Sequence, residues 1–171
     1  MSAKRCFFLT AAALGAGLGA ILWAPPSSWG AAKGKVFDDW AIECEGEGAG
    51  QHCFASQVHA PKGVASTRIL KISIGYLGPK GEPAAVLFAP LGISVAAGIG
   101  FRIGDRPEQV LPIQQCRQEG CIASGALDAA AIAELTRTGK AVVGFLPFGS
   151  DKPVAVPLSM KGFAAAYRSL N

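Results

Sequence analysis

The sequence predicts a mostly-β fold: an antiparallel β-sandwich-like single domain with two short helices, one after a cysteine hairpin and one at the C-terminus. Three observations carry that expectation. Apolar and polar residues alternate over several segments of strand length. Glycine and proline, 22 and 11 of the 171 residues, separate those segments at turn-like intervals. Half the residues are hydrophobic and 16% are charged, which suits a packed core and not a disordered chain.

The first element to justify is the leader. Lys4 and Arg5 precede an uncharged apolar run, and "PPSSWGAA" then breaks the run and supplies small residues for cleavage. Residues 1–32 therefore read as a cleaved signal peptide, with Gly30 or Ala32 the last residue removed, and 33–171 as the mature domain. The run from Phe7 to Ala24 is 18 residues, borderline for spanning a bilayer. Its Gly/Ala content and the small-residue site favour cleavage over an uncleaved anchor, and no second stretch of the sequence is apolar enough to span. Cys6 has no lipobox around it. Cleavage lowers the 16 basic residues to 14 against 12 acidic ones, a charge too small and too scattered to point to nucleic acid. The expected location is the periplasm, the outer membrane as an associated protein, or the medium.

Along the mature chain, "VFDDWAIEC" reads as a strand with Val36, Trp40, Ile42 and Cys44 on one side; Asp38 on that side moves its proper start to near Asp39. In "STRILKISIGY", Leu70, Ile72, Ile74 and Tyr76 face one way behind Arg68, while Ile69, Lys71 and Ser73 make a mostly wet face. "GPKGEP" is a turn and "AAVLFAP" a short apolar strand. Two or three short strands punctuated by glycines then lead to "IQQCRQEGC". In "LDAAAIAELTRTGK", Asp128 is placed to cap a helix and Gly139 to end it. "AVVGFLPF", a "GSDK" turn and "PVAVPLSM" return to β structure. Val154, Val156, Leu158 and Met160 share a face there, and Pro157 argues for an edge strand or a bulge. The spacing of Phe163, Ala166, Tyr167 and Leu170 predicts an amphipathic C-terminal helix.

Four cysteines remain in the mature chain: Cys44, Cys53, Cys116 and Cys121. An even count in an oxidising compartment reads as two disulfides. Three pairings are open. Cys44–Cys53 and Cys116–Cys121 are favoured, because each pair flanks a polar, glycine-bearing loop that resembles a hairpin connection. Spacings of eight and four residues do not match zinc knuckles, and the C-x-x-C of a thioredoxin-type site is absent. A labile, regulatory Cys116–Cys121 bond is the competing redox reading.

The sequence offers no catalytic constellation, cofactor or metal site. His52 and His59 are the near-neutral bases, and His59 is expected at the surface at a strand end. "GIGFRIG" lacks both the third glycine in register, Gly104 falling one residue late, and a βαβ frame, so it reads as a glycine-kinked strand. Glu43, Glu45 and Glu47 alternate in a loop that does not follow a calcium-binding pattern. Asp38 with Asp39, and Asp105 with Glu108, are paired in sequence alone. Trp40, Phe101 and Tyr167 suit core packing better than a binding platform.

Several segments together resemble the invasion-associated locus B family of exported Gram-negative bacterial proteins. They are "FDDWAIECE", "QHCFASQV", "CRQEGCIASGALDAAAIAELTRTGKAVVGF" and "VAVPLSMKGFAAAYRSL". Phe37-Asp38-Asp39-Trp40 with Cys44, Gly120-Cys121 with Cys116, and Lys161-Gly162-Phe163 with Ala166 match most strongly. The resemblance spans Val36 to Leu170. It implies a β-sandwich-like domain of the periplasm or outer membrane with its cysteines paired as disulfides, and it supplies no catalytic motif. Where family members often carry Asp-Gly before the cysteine hairpin, this chain reads "IGDRPEQ", which leaves that turn open. The expected function is binding of an envelope or extracellular protein partner. The alternative is an enzyme or thiol-redox accessory of the envelope with a labile Cys116–Cys121 bond.

Overall fold

The computed structural model describes residues 34–60 and 70–170. The predicted leader, together with Arg68 and Ile69, lies outside the described residues. Within them the order is β1 (Val36–Phe37), β2 (Trp40–Glu45), β3 (His52–His59), β4 (Leu70–Gly75), β5 (Ala84–Ala89), β6 (Ile99–Ile103), β7 (Gln109–Leu111), β8 (Ile113–Arg117), β9 (Gly120–Ala126), α1 (Ala129–Thr138), β10 (Lys140–Phe145), β11 (Val154–Ser159) and α2 (Phe163–Arg168). All strand pairings are antiparallel. They form a seven-stranded sheet, β1-β2-β3-β4-β5-β9-β8, and a four-stranded sheet, β11-β10-β6-β7. The chain passes from the small sheet to the large one at Pro112, between β7 and β8.

The core lies between the sheets. Ile42, Ile72, Ile74 and Leu87 from the large sheet join Ile99, Phe101, Leu111 and Val143 from the small one in one buried cluster. Period-two alternation places these side chains inward. Trp40, Phe101 and Tyr167 are all buried there, so these aromatics pack the core.

Both helices begin and end where their residues direct. The Asp128 carboxylate accepts the Ala131 N–H at 2.5 Å, and Gly139 takes the left-handed conformation, φ 63°, that ends α1. Helix α2 packs against β1, β2 and β3. Its Phe163 ring lies 4.8 Å from Trp40, and Tyr167 lies 5.7 Å from Tyr76. The helix is shorter than its apolar stripe suggests, and Leu170 packs on the core from beyond its end. Pro157 sits on β11, an edge strand, where its missing N–H costs no ladder bond.

Three expectations change. The first strand is instead a hairpin: Asp38, at φ 50°, and Asp39 turn the chain so that Phe37 opposes Trp40. Val36 then pairs with Ala41 and is exposed, off the side that Trp40 occupies. Ser73 is buried, not wet, because it lies mid-sheet between Ser56 and Val86 and its neighbours shade a side chain so small. His59 is half-buried, since Gln57 draws its ring against the protein. The turn left open at "IGDRPEQ" closes through the Arg106 N–H onto the Ile103 carbonyl, with Gly104 at φ 53°.

Candidate functional site

Cys44, Cys53, Cys116 and Cys121 form two cross-strand disulfides. Cys44 opposes Cys53 on β2 and β3, and Cys116 opposes Cys121 on β8 and β9. In each pair the Cα atoms stand 4.0 Å apart, the close approach of a pair that exchanges no ladder hydrogen bonds. Strand register therefore sets each pair of cysteines directly opposite each other. Gln118 and Glu119 make the short turn between β8 and β9, while a 3-10 turn at Gly48–Gly50 fills the longer loop. Cys121 is buried and Cys116 is exposed on the edge strand.

A second constellation joins the ends of the domain. Gln57, buried on β3, donates through Nε2 to the Asp39 carbonyl at 3.2 Å and to the Ser159 carbonyl at 2.7 Å. Its Oε1 accepts the Ser159 N–H at 3.1 Å and lies 2.6 Å from His59 Nε2. The Trp40 indole N–H donates to the same Ser159 carbonyl at 2.8 Å, and Ser159 Oγ donates to the Asp39 carboxylate at 2.5 Å. Lys161 pairs with Asp38 at 3.2 Å. Gly162, at φ 84°, leaves no room for a Cβ, which would strike the Phe37 carbonyl. Burial lowers the His59 pKa below its ordinary value, and the nearby Asp39 charge opposes that shift. The serine hydroxyl is committed to Asp39 and the imidazole to Gln57, so this cluster ties chain segments together and does not activate a nucleophile.

The remaining predicted candidates stay apart. Glu43 pairs with Lys71 at 2.6 Å and accepts the Ser56 hydroxyl. Among the described residues no three His, Cys, Asp or Glu side chains converge as a metal site would require. A cleft of about 630 Å³ opens where α1 begins, with Phe101, Ile103 and Leu127 in its wall. At its rim Arg106 is held by both carboxylate oxygens of Asp128, at 3.2 and 2.9 Å. The Ala131 N–H and then Arg106 lower the Asp128 pKa.

Sequence reasoning missed two features. Gln57 shares its strand side with Ala55 and Cys53, and a polar residue at an inward position was the available signal. The other is the outer surface of the small sheet with its loops. Of the seven large apolar side chains exposed among the described residues, Leu91, Val95, Val110 and Phe148 belong to this region, and Phe148 is 82% exposed.

A two-sheet antiparallel sandwich with cross-strand disulfides, its C-terminal helix clasped to an N-terminal hairpin, defines a stapled β domain. The family model for the invasion associated locus B (IalB) protein matches residues 40–171, and the chain belongs to that family. It is similar to invasion protein B homologs of Brucella abortus, strain 2308 and biovar 1 strain 9-941. Each is 26% identical over 132 residues, covering 77% of this chain and 75% of the relative. The crystal structure of invasion associated protein B from Bartonella henselae shares the fold, with a TM-score of 0.68 at 19% identity, over 80% of this chain and 92% of that one. Two of the three strongest matches meet in space, since Phe37-Asp38-Asp39-Trp40 and Lys161-Gly162-Phe163 are the two halves of the clasp.

Proposed function

We propose that this chain is an exported, disulfide-stabilised domain of the cell envelope, periplasmic, outer-membrane-associated or secreted, that acts by binding a protein partner and not by catalysis. The observation that carries the reading is the gathering of exposed apolar side chains at the small sheet and its loops. Exposed Phe148, Leu91 and Val110 offer apolar surface of the kind a protein partner covers. The basic-then-apolar leader and the even number of mature cysteines support export. Among the described residues no helix is long and apolar enough to cross a membrane.

Photocrosslinking in producing cells tests this reading. A photoreactive side chain at position 148 or 110 is expected to yield a discrete adduct with a protein, and a control at the exposed Lys80 none. Equal labelling at all three positions, or none at 148 and 110, refutes it.

A further inference from the structure

An antiparallel sheet with one face on the core ordinarily turns polar side chains outward. The small sheet does so at one end, through Arg102, Lys140 and Ser159, and not at the other. Register places Gly100 beside Gly144 and Val110, Gly144 beside Ala155, and Val142 beside Pro157, all facing away from the core. Glu108 reaches over Gly100, and beside it Gly144 leaves a trough of about 240 Å³ lined also by Val110 and Ala155. The charged side chains lining it are Arg102 and Glu108, one of each sign, and neither forms an ion pair among the described residues.

At one end of this face stands a knob. The Phe148 N–H donates to the Gly92 carbonyl at 2.8 Å and the Ser94 N–H to the Leu146 carbonyl at 2.7 Å, with Ile93 bridged to Pro147. These bonds lock the two loops together, so Phe148 and Leu91 project from a braced base. An apolar anchor held rigid in advance loses little entropy when it is buried.

We infer that this face is where two copies of the chain associate about a twofold axis, the Phe148 knob of each against the trough of the other. The inference rests on the binding reading above and names its partner. A surface carrying knob, hollow, cation and anion together is complementary to itself, and an isologous twofold contact is the commonest use of such a surface. Arg102 of one copy then faces Glu108 of the other, twice over. A lipid surface fits less well. Two apolar side chains bury less than one fatty acyl chain, which alone gives only marginal attachment, and the trough carries no excess of cations. Four strands make a face roughly 15 by 20 Å before the loops are added. That is below the roughly 800 Å² per partner of a standard interface, so the association is weak and depends on concentration.

Sedimentation equilibrium of the chain, purified as its producing cell processes it, tests the inference. The mass is expected to rise from one chain to two over about 10 to 300 μM, typical of a small interface. Phe148→Ser and Val110→Lys should each weaken association at least ~10-fold, as loss of a central anchor does. Arg102→Glu and Glu108→Arg should each weaken it alone and restore it together, with circular dichroism confirming that every variant is folded. A monomer at every concentration, an open series of larger species, or charge variants without mutual rescue overturns the inference. So does flotation of the wild type, but not Phe148→Ser, with phosphatidylethanolamine/phosphatidylglycerol vesicles. A monomer that still crosslinks to a different protein from position 148 overturns self-association and leaves the binding reading intact.

Discussion

Replacing Gln57 with alanine tests whether the clasp holds the two sheets together. The side chain makes four polar contacts, and their loss is unequal. The Ser159 carbonyl keeps the Trp40 N–H, while Asp39 and His59 lie at or near the surface, where water replaces what is lost. The part-buried Ser159 N–H loses its side-chain acceptor, and a donor left unpaired away from water costs about 1–3 kcal/mol. The space left by the truncated side chain adds about 1 kcal/mol. Gln57→Ala should therefore destabilise the oxidised protein by about 2–4 kcal/mol in urea unfolding. Adding Trp40→Phe removes the other donor to the Ser159 carbonyl, so the double variant should lose about 1 kcal/mol more than the two single losses combined. A Gln57→Ala loss below about 0.5 kcal/mol, or strict additivity in the double variant, would refute the reasoning.

Gly162→Ala should cost about 2 kcal/mol or more, since it combines a left-handed backbone with a Cβ against the Phe37 carbonyl; thermal melts read it. Replacing either disulfide by an alanine pair should cost about 2–3 kcal/mol by chain entropy, and a thiol-alkylation time course in mild reductant should modify Cys116–Cys121 first, because Cys116 is exposed. Equal rates at the two bonds would count against that order. Burial holds the folded His59 pKa below 6.5, so between that lowered value and 6.5 the unfolded chain binds more protons. This contribution to stability is complete above 6.5 and is lost as pH falls through the folded pKa. His59→Asn should flatten that slope, and an NMR titration of His59 should show a midpoint under 6.5.

The elements governed by local chemistry were legible in the sequence. Asp128 and Gly139 mark α1 by capping, Pro157 marks an edge, and alternation marks β4 and β11. The cysteine hairpins were legible because their turns are short. The clasp was not, because Gln57 meets Ser159 across 102 residues and neither carries a local signal for the other. The outer face of the small sheet was hidden for a different reason. Its glycines read as kinks along one strand, and only pairing places Gly100, Gly144 and Val110 side by side.

The clasp also sets the order in which the molecule can be completed. Trp40 emerges early in synthesis, yet its indole partner, the Ser159 carbonyl, follows 119 residues later, and the Phe163 ring that covers it later still. Until then the first hairpin must wait with its largest aromatic side chain uncovered. Closure therefore cannot precede the synthesis of residue 159, and a nascent chain halted before that point presents its tryptophan to whatever chaperone or protease meets it.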